Sequence, residues 1–285
     1  MTRTDFRFFE RLRVRWAEID AQQIVFNGHY LLYLDTALAG YWRALALPYA
    51  QTMAQFGGDL YVRKSTLDYL ASARYDDLLD IGLRIARIGN SSIVFEAGVF
   101  RQDQLLVSAE LVYVFADPRT QTSRAVPPAL RDALLGFEAG AAMVELRVGE
   151  WAALTEPARA IRTEVFIGEQ KIPIEMEWDE ADHDAVHAVA FNRLGLPLAT
   201  GRLLRHAPGI ARIGRMASIQ ALRGSGVGRQ VLEALMQAAR ARGDREVVLS
   251  AQTSASAFYV RAGFAPRGAA FEEAGIAHIE MARAL

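Results

Sequence analysis

The sequence contains no cysteine. That excludes disulfides, a cysteine nucleophile and thiolate metal sites together, and it fits a reducing cytoplasm. Lysine is nearly absent too: Lys64 and Lys171 are the only ones, and every other basic residue is arginine. With so much alanine alongside, this reads as compositional bias without functional content. No apolar run approaches the roughly 18–20 residues of a membrane-spanning helix. The most apolar stretch, residues 30–42, is interrupted by Asp35. Residues 1–16 carry arginines and no continuous apolar segment, which argues against a secretory signal. A net charge of −1 leaves no basic excess, so no broad nucleic-acid face is expected.

What is present is a globular composition. The chain has 285 residues, 52% hydrophobic and 23% charged, a length that suits about two domains. Residues 136–142 are small, nearly uncharged and follow Pro127-Pro128. They mark a boundary between an N-terminal domain, 1–138, and a C-terminal domain, 139–285. The halves show no similarity to each other, so neither repeats the other.

The N-terminal half opens with a strand-like run, 8–16, in which Arg11, Arg13 and Arg15 alternate with Leu12, Val14 and Trp16. This alternation places Glu18 on the exposed side. A turn-rich stretch, 20–28, precedes a mostly buried helix, 30–45, within which Asp35 reads as a group supporting the site or as a helix-dimer contact. Strand-like runs follow at 61–69, 79–88, 92–102 and 105–115. One buried helix and several antiparallel strands describe an α+β sheet wrapped around a helix. The C-terminal half alternates: strands at 145–148, 186–191, 198–205, 210–219, 247–250 and 278–282, and helices at 155–166, 226–242 and 254–261. This is a mixed α/β pattern.

The strongest chemical signal is Arg223-Gly-Ser-Gly-Val-Gly-Arg229, between a strand and an amphipathic helix. Glycines let backbone approach a ligand closely. A helix N-terminus presents N–H groups and a favourable dipole to an anion, and the two arginines add charge. The same pattern also describes a plain glycine turn before a helix. It is not a Walker loop, and no acidic residue ends the next strand as a dinucleotide fingerprint requires.

The order of strand, Arg-x-x-Gly-x-Gly, helix, strand and Phe258-Tyr259-Val-Arg-Ala-Gly263-Phe264 resembles the GNAT superfamily of acetyl-CoA-dependent N-acyltransferases. Val165-Phe166-Ile-Gly-Glu169-Gln170, Leu249-Ser-Ala-Gln252 and Phe271-Glu-Glu-Ala-Gly-Ile-Ala-His278 resemble its ElaA/YjcF-like branch. The resemblance implies acetyl-CoA as substrate. Met216, Ala217, Ser218 and Ile219 would meet the pantetheine arm. Arg223, Gly224, Ser225, Gly226, Val227, Gly228 and Arg229 would hold the pyrophosphate. Tyr259 would protonate the departing thiolate; packed among Phe258 and Phe264 it also reads as a core residue. For the base, the acidic run from Glu175 through Glu177, Asp179, Glu180 and Asp182 to Asp184 would draw a cationic amine, or it is a solvated loop. Glu272, Glu273 and His278 are further candidates. His183 and His187 lie four apart without a completing carboxylate, and no metal site is expected.

In the N-terminal half, Glu18-Ile-Asp20-Ala-Gln-Gln23-Ile-Val25-Phe26-Asn27-Gly28-His29-Tyr30 and Tyr69-Leu-Ala-Ser-Ala-Arg74-Tyr75-Asp76-Asp77 resemble the hotdog-fold acyl-CoA thioesterases of the 4-hydroxybenzoyl-CoA thioesterase/YbgC type. The resemblance implies that Asp20 is the carboxylate acting as nucleophile or base on the thioester. A helix N-terminus would polarise the carbonyl, with amides around residues 57–61 as donors. Asp20 also reads as a turn or capping residue. Gln23 replaces the family's usual glycine, and Asn27 a Tyr or His. Lys64 and Arg74 read as CoA-phosphate contacts or surface charge, and His29 as structural. The expectation is a bifunctional CoA enzyme: acyl-CoA hydrolysis and acetyl transfer to an amine. It would assemble as a homodimer or homotetramer through the hotdog domain. The alternative is a transferase whose hotdog half only dimerises or senses acyl-CoA.

Overall fold

A computed structural model describes residues 1–285. The chain divides into two units, Met1–Met143 and Val144–Leu285.

In the first unit, Tyr30, Tyr33, Leu34, Ala37, Leu38, Tyr41 and Trp42 fall on one face of α1 (His29–Ala44) and are buried, the three-and-four spacing of an amphipathic helix. The sheet around α1 comprises β1 (Phe8–Arg13), β2 (Asp59–Tyr69), β3 (Leu78–Ile88), β4 (Ser92–Arg101) and β5 (Gln104–Ala116). Its order is β1-β3-β4-β5-β2, and every pairing is antiparallel. Tyr41 sits at the centre, its ring edge-on to Phe8, Phe95 and Phe137 at 5.5, 5.7 and 5.1 Å. Each such buried aromatic or aliphatic side chain stabilises the fold by about 1.5–3 kcal/mol. A helix not expected from sequence, α2 (Tyr49–Phe56), joins α1 to β2, and α3 (Pro128–Glu138) closes the unit.

One expectation is overturned here. The first strand ends at Arg13, and Trp16–Glu18 form a 3-10 turn. The turn reverses the sides, leaving Trp16 72% exposed and burying Glu18 to 3%. Asp35 is exposed on the outer side of α1.

The second unit holds β6 (Val144–Glu150), β7 (Val186–Asn192), β8 (Pro197–Ala207), β9 (Ile210–Ser218), β10 (Glu246–Gln252), β11 (Ala265–Glu273) and β12 (Ile276–Ala284). They form one sheet ordered β11-β12-β10-β9-β8-β7-β6. Only β9 and β10 run parallel. The helices are α4 (Trp151–Arg162), α5 (Ile174–Glu177), α6 (Val227–Arg242) and α7 (Ser256–Arg261). A π-helical segment, Thr163–Glu169, continues α4. Val231, Leu232, Leu235, Met236 and Ala239 form the buried stripe of α6, and Trp151, Leu154, Ala158 and Ile161 that of α4. β11 carries no alternation to read, because all nine of its residues are exposed.

Candidate active sites

In the second unit, β9 and β10 pair only from Ile210 opposite Glu246 to Ile213 opposite Leu249. Beyond that, β9 stays with β8 as far as Ser218 opposite Ala199, and β10 stays with β12 as far as Gln252 opposite His278. The two strands therefore part. A bulge at the same level adds a residue to β9 between Gly214 and Ala217, with Arg215 in the left-handed region at φ 51°. Such bulges free backbone groups beside a site. A cavity of about 500 Å³ occupies the opening, lined among others by Gly214, Met216, Leu249, Gln252 and Tyr259.

Two side-chain ties reach across the opening from adjacent residues. Gln252 donates Nε2–H to Gln170 Oε1 at 2.9 Å. Arg223 donates both ends of its fork to Glu169 at 2.6 and 2.5 Å, and bonds Ser218 O at 3.2 Å. The Arg223 guanidinium holds the Glu169 carboxyl below its ordinary range. Arg223 thus braces the glycine loop, and Arg229 is paired with Glu233 at 2.7 Å. The anion-facing groups of the loop are instead its amides. Gly224 and Gly226 take φ of 81° and 92°, and α6 begins with no side-chain cap, which leaves first-turn N–H groups open. A Cβ on Gly228 would meet Ser218 Oγ at 2.9 Å, so a larger residue there would have to displace the Ser218 side chain.

Tyr259 is 8% exposed and packs against Phe258 and Phe264 at 4.9 and 6.0 Å. Burial pushes its phenol up to about 12, so the hydroxyl keeps its proton at neutral pH. Glu273 and His278 line the same cavity, and Glu272 does not.

The acidic run divides: Glu175, Glu180 and Asp184 are exposed, while Glu177, Asp179 and Asp182 are engaged by arginines. Glu177 and Asp182 are each 2% exposed. Arg162, itself 1% exposed, donates to Glu177 at 2.5 Å and Asp182 at 2.8 Å. Arg202 binds Asp179 and Asp182 at 2.5 and 2.8 Å, and Arg215 reaches Glu177 and Asp179. Burial raises the Glu177 carboxyl against its arginines. For Asp182, burial also opposes ionisation, but Arg162 and Arg202 outweigh it and the carboxyl is lowered. His187 is buried against Trp151 at 4.7 Å, with Nε2 2.9 Å from Asp182 O, whereas His183 is exposed.

In the first unit, Asp20 sits on a tight turn. Its N–H donates to Ile24 O at 2.9 Å, its Oδ1 accepts Gln22 N–H at 2.8 Å, and its carbonyl accepts Gln23 N–H at 3.0 Å. Gln23 adopts φ 64°, the left-handed conformation that glycine supplies without strain. The turn is stitched down by Phe26 N–H to Glu18 O and Val25 N–H to Ala73 O, both 2.9 Å. Tyr69 donates to Asn27 O at 3.2 Å. His29 lies edge-on to Phe26 at 5.9 Å. Behind the turn, burial would raise the Glu18 carboxyl, but the Arg15 amide, the Tyr33 hydroxyl and the Arg15 guanidinium outweigh it and hold it low. The amide and hydroxyl both lie at 2.7 Å.

The amides of residues 57–61 are not available to a thioester. Gly57 and Gly58 donate to Ala54 O and Met53 O, and Leu60 donates to Asp59 Oδ1. They also follow the C-terminus of α2, where the dipole has the wrong sign for an oxyanion. The positive end of a helix near Asp20 belongs to α1, whose N-cap is Gly28. Lys64 pairs with Glu110 at 3.3 Å, and Arg74 is exposed.

Comparison with known proteins agrees with both halves. Residues 22–108 match the thioesterase superfamily, a segment beginning two positions after Asp20. Residues 175–285 match the acetyltransferase (GNAT) domain. The uncharacterized N-acetyltransferase YjcF of Bacillus subtilis is 34% identical over 122 residues, 42% of this chain and 86% of its own. The acyl-CoA thioester hydrolase YbgC of Escherichia coli is 30% identical over 131 residues, 46% of this chain and 96% of its own. The chain belongs to both families. A crystal structure of an acyl-CoA N-acyltransferase from Pseudomonas aeruginosa is 38% identical, covering 49% of this chain and 99% of its own at a TM-score of 0.44.

The hotdog thioesterase fold and the GNAT fold are therefore joined in one chain, and both families use CoA thioesters. Sequence reasoning missed the burial of Glu18 and the work of Arg162. The second had a visible signal, since Arg162 adjoins the apolar positions 151, 154, 158 and 161 of α4.

Proposed function

We propose that the GNAT domain transfers an acetyl group from acetyl-CoA to an amine and that the hotdog domain hydrolyses an acyl-CoA thioester. The observation that carries the reading is the parting of β9 from β10 beside the glycine loop. The edge of Met216, Ala217, Ser218 and Ile219, which β10 leaves unpaired, would bind the pantetheine arm as an added strand does. The amides of Gly224, Gly226, Val227, Gly228 and Arg229 would hold the pyrophosphate, while the Ser225 amide is engaged by Leu222 O at 3.2 Å. Tyr259, a protonated phenol on the cavity wall, would give its proton to the leaving thiolate.

In the hotdog domain Asp20 would attack the thioester or activate water, and the positive end of the α1 dipole would polarise its carbonyl. A homodimer or homotetramer through this domain is supported by β2. That strand is an eleven-residue sheet edge with Tyr61, Val62 and Tyr69 exposed, and pairing with a second copy would satisfy its open backbone groups. No helix is long and apolar enough to cross a membrane. A cytoplasmic setting suits the cysteine-free composition.

A second reading, acyl-CoA binding without hydrolysis, draws on Gln23 and on the commitment of Asp20 Oδ1 to the Gln22 amide. CoA thiol release separates the readings. Amine-independent release from acyl-CoA that is abolished by Asp20→Ala supports hydrolysis. Retained CoA binding with no release at any chain length supports the second reading. Amine-dependent release from acetyl-CoA that falls in Tyr259→Phe supports transfer, and its absence with every amine overturns it.

A further inference from the structure

An amine acceptor arrives as an ammonium ion, so the proposed transfer needs a base on the cavity wall. The carboxylates that line it on α5 and beyond are engaged: Glu177 with Arg162 and Arg215, Asp179 with Arg202 and Arg215. His278 is differently placed. It stands on β12 opposite Gln252, the last residue of β10, and opposite Phe271 of β11, so it lies at the mouth of the opening. Its half-buried imidazole lines the cavity that Tyr259 also lines. Its Nδ1 is 2.8 Å from Ile276 O. A carbonyl only accepts, so Nδ1 carries a hydrogen, and in the neutral ring the lone pair falls on Nε2. The Phe271 ring stacks on the imidazole at 5.9 Å and 23°, which fixes its plane.

Resting on the acetyl-transfer reading, we infer that His278 is the base that deprotonates the acceptor amine. The ammonium passes one proton to Nε2. The freed lone pair forms the N–C bond to the acetyl carbonyl carbon, and collapse of the tetrahedral intermediate breaks the C–S bond. The electron pair leaves on sulfur, which takes the Tyr259 proton. The amide nitrogen's surplus proton restores Tyr259, and His278 releases its proton to solvent.

The test uses the full chain with acetyl-CoA and two probes: n-butylamine, cationic at neutral pH, and hydroxylamine, largely uncharged there. His278→Gln is expected to slow butylamine acetylation about 100-fold while hydroxylamine acetylation and calorimetric CoA affinity change little. Equal loss with both probes overturns the assignment, as does a larger loss on butylamine in Glu273→Gln. Imidazole ¹⁵N resonances give a readout independent of activity: the Nδ1–H tautomer is expected at His278, and the Nε2–H tautomer excludes the role. Wild-type protein that binds acetyl-CoA yet acetylates neither these probes nor any other amine overturns the transfer reading itself, and the base assignment with it.

Discussion

The Asp20 turn and the loop before α6 face the same backbone requirement with different residues. Each places a left-handed residue where backbone folds tightly beside a candidate site. The loop uses Gly224 and Gly226, which have no Cβ to strain. The turn uses Gln23 at φ 64°, a conformation that costs an L residue about 1–2 kcal/mol. The hydrogen bonds that pin the turn to Glu18 and Ala73 offset that strain. The buried carboxylates of the two units differ in the same spirit. Glu18 is held ionised by a backbone amide and a tyrosine hydroxyl as well as an arginine. Glu177 has arginines and stands near Asp182, and burial wins. At Glu18 the amide, hydroxyl and guanidinium donors outweigh burial, whereas at Glu177 the arginines do not.

The largest expected break falls in the GNAT domain. Arg162→Met leaves Glu177 and Asp182 buried without their shared cation, and should destabilise that unit by about 3–5 kcal/mol. Hydrogen exchange resolved by segment would show the loss confined to residues 144–285; an unchanged second unit would refute the role of Arg162.

Glu18→Gln tests the hotdog side. Removing a charge-assisted bond network should cost about 1.5–3 kcal/mol at neutral pH. The folded carboxyl is lowered from its ordinary 4.5. Its stabilising contribution is therefore present above that pH and is lost as pH falls through the lowered value. The gap between wild type and Glu18→Gln in urea melts should close in acid. Glu177, being raised, has the opposite sign: acidification relieves it.

Gly228→Ala sharpens the loop. The added methyl would press on Ser218, and CoA affinity should weaken about tenfold, roughly 1.4 kcal/mol, by calorimetry. Gln23→Gly, the smallest change, should stabilise the hotdog unit by about 0.5–1 kcal/mol, strain relief less the added chain entropy of glycine. A lower melting temperature would show that Gln23 makes contacts worth more than its strain.

The sequence exposes elements whose burial is periodic. α1 and α6 are legible because their apolar residues recur on one face, and the glycine loop because it sits between a strand and a helix. β11 is not, since a wholly exposed edge strand imposes no pattern. Glu18 could not be placed by strand alternation, because a 3-10 turn interrupts it after Arg15. The acidic run misleads for a related reason: its arginine partners come from α4, β8 and β9, 15 to 38 residues away along the chain.

The ties from Glu169 and Gln170 have a thermodynamic consequence for the proposed cofactor capture. β9 and β10 are separated by the chain's own geometry and tied by Arg223 and Gln252 to adjacent residues, so a pantetheine arm entering between them would break no strand-to-strand hydrogen bonds. Association with such a preorganised cleft would spare the ordering free energy that a hinged site spends on opening.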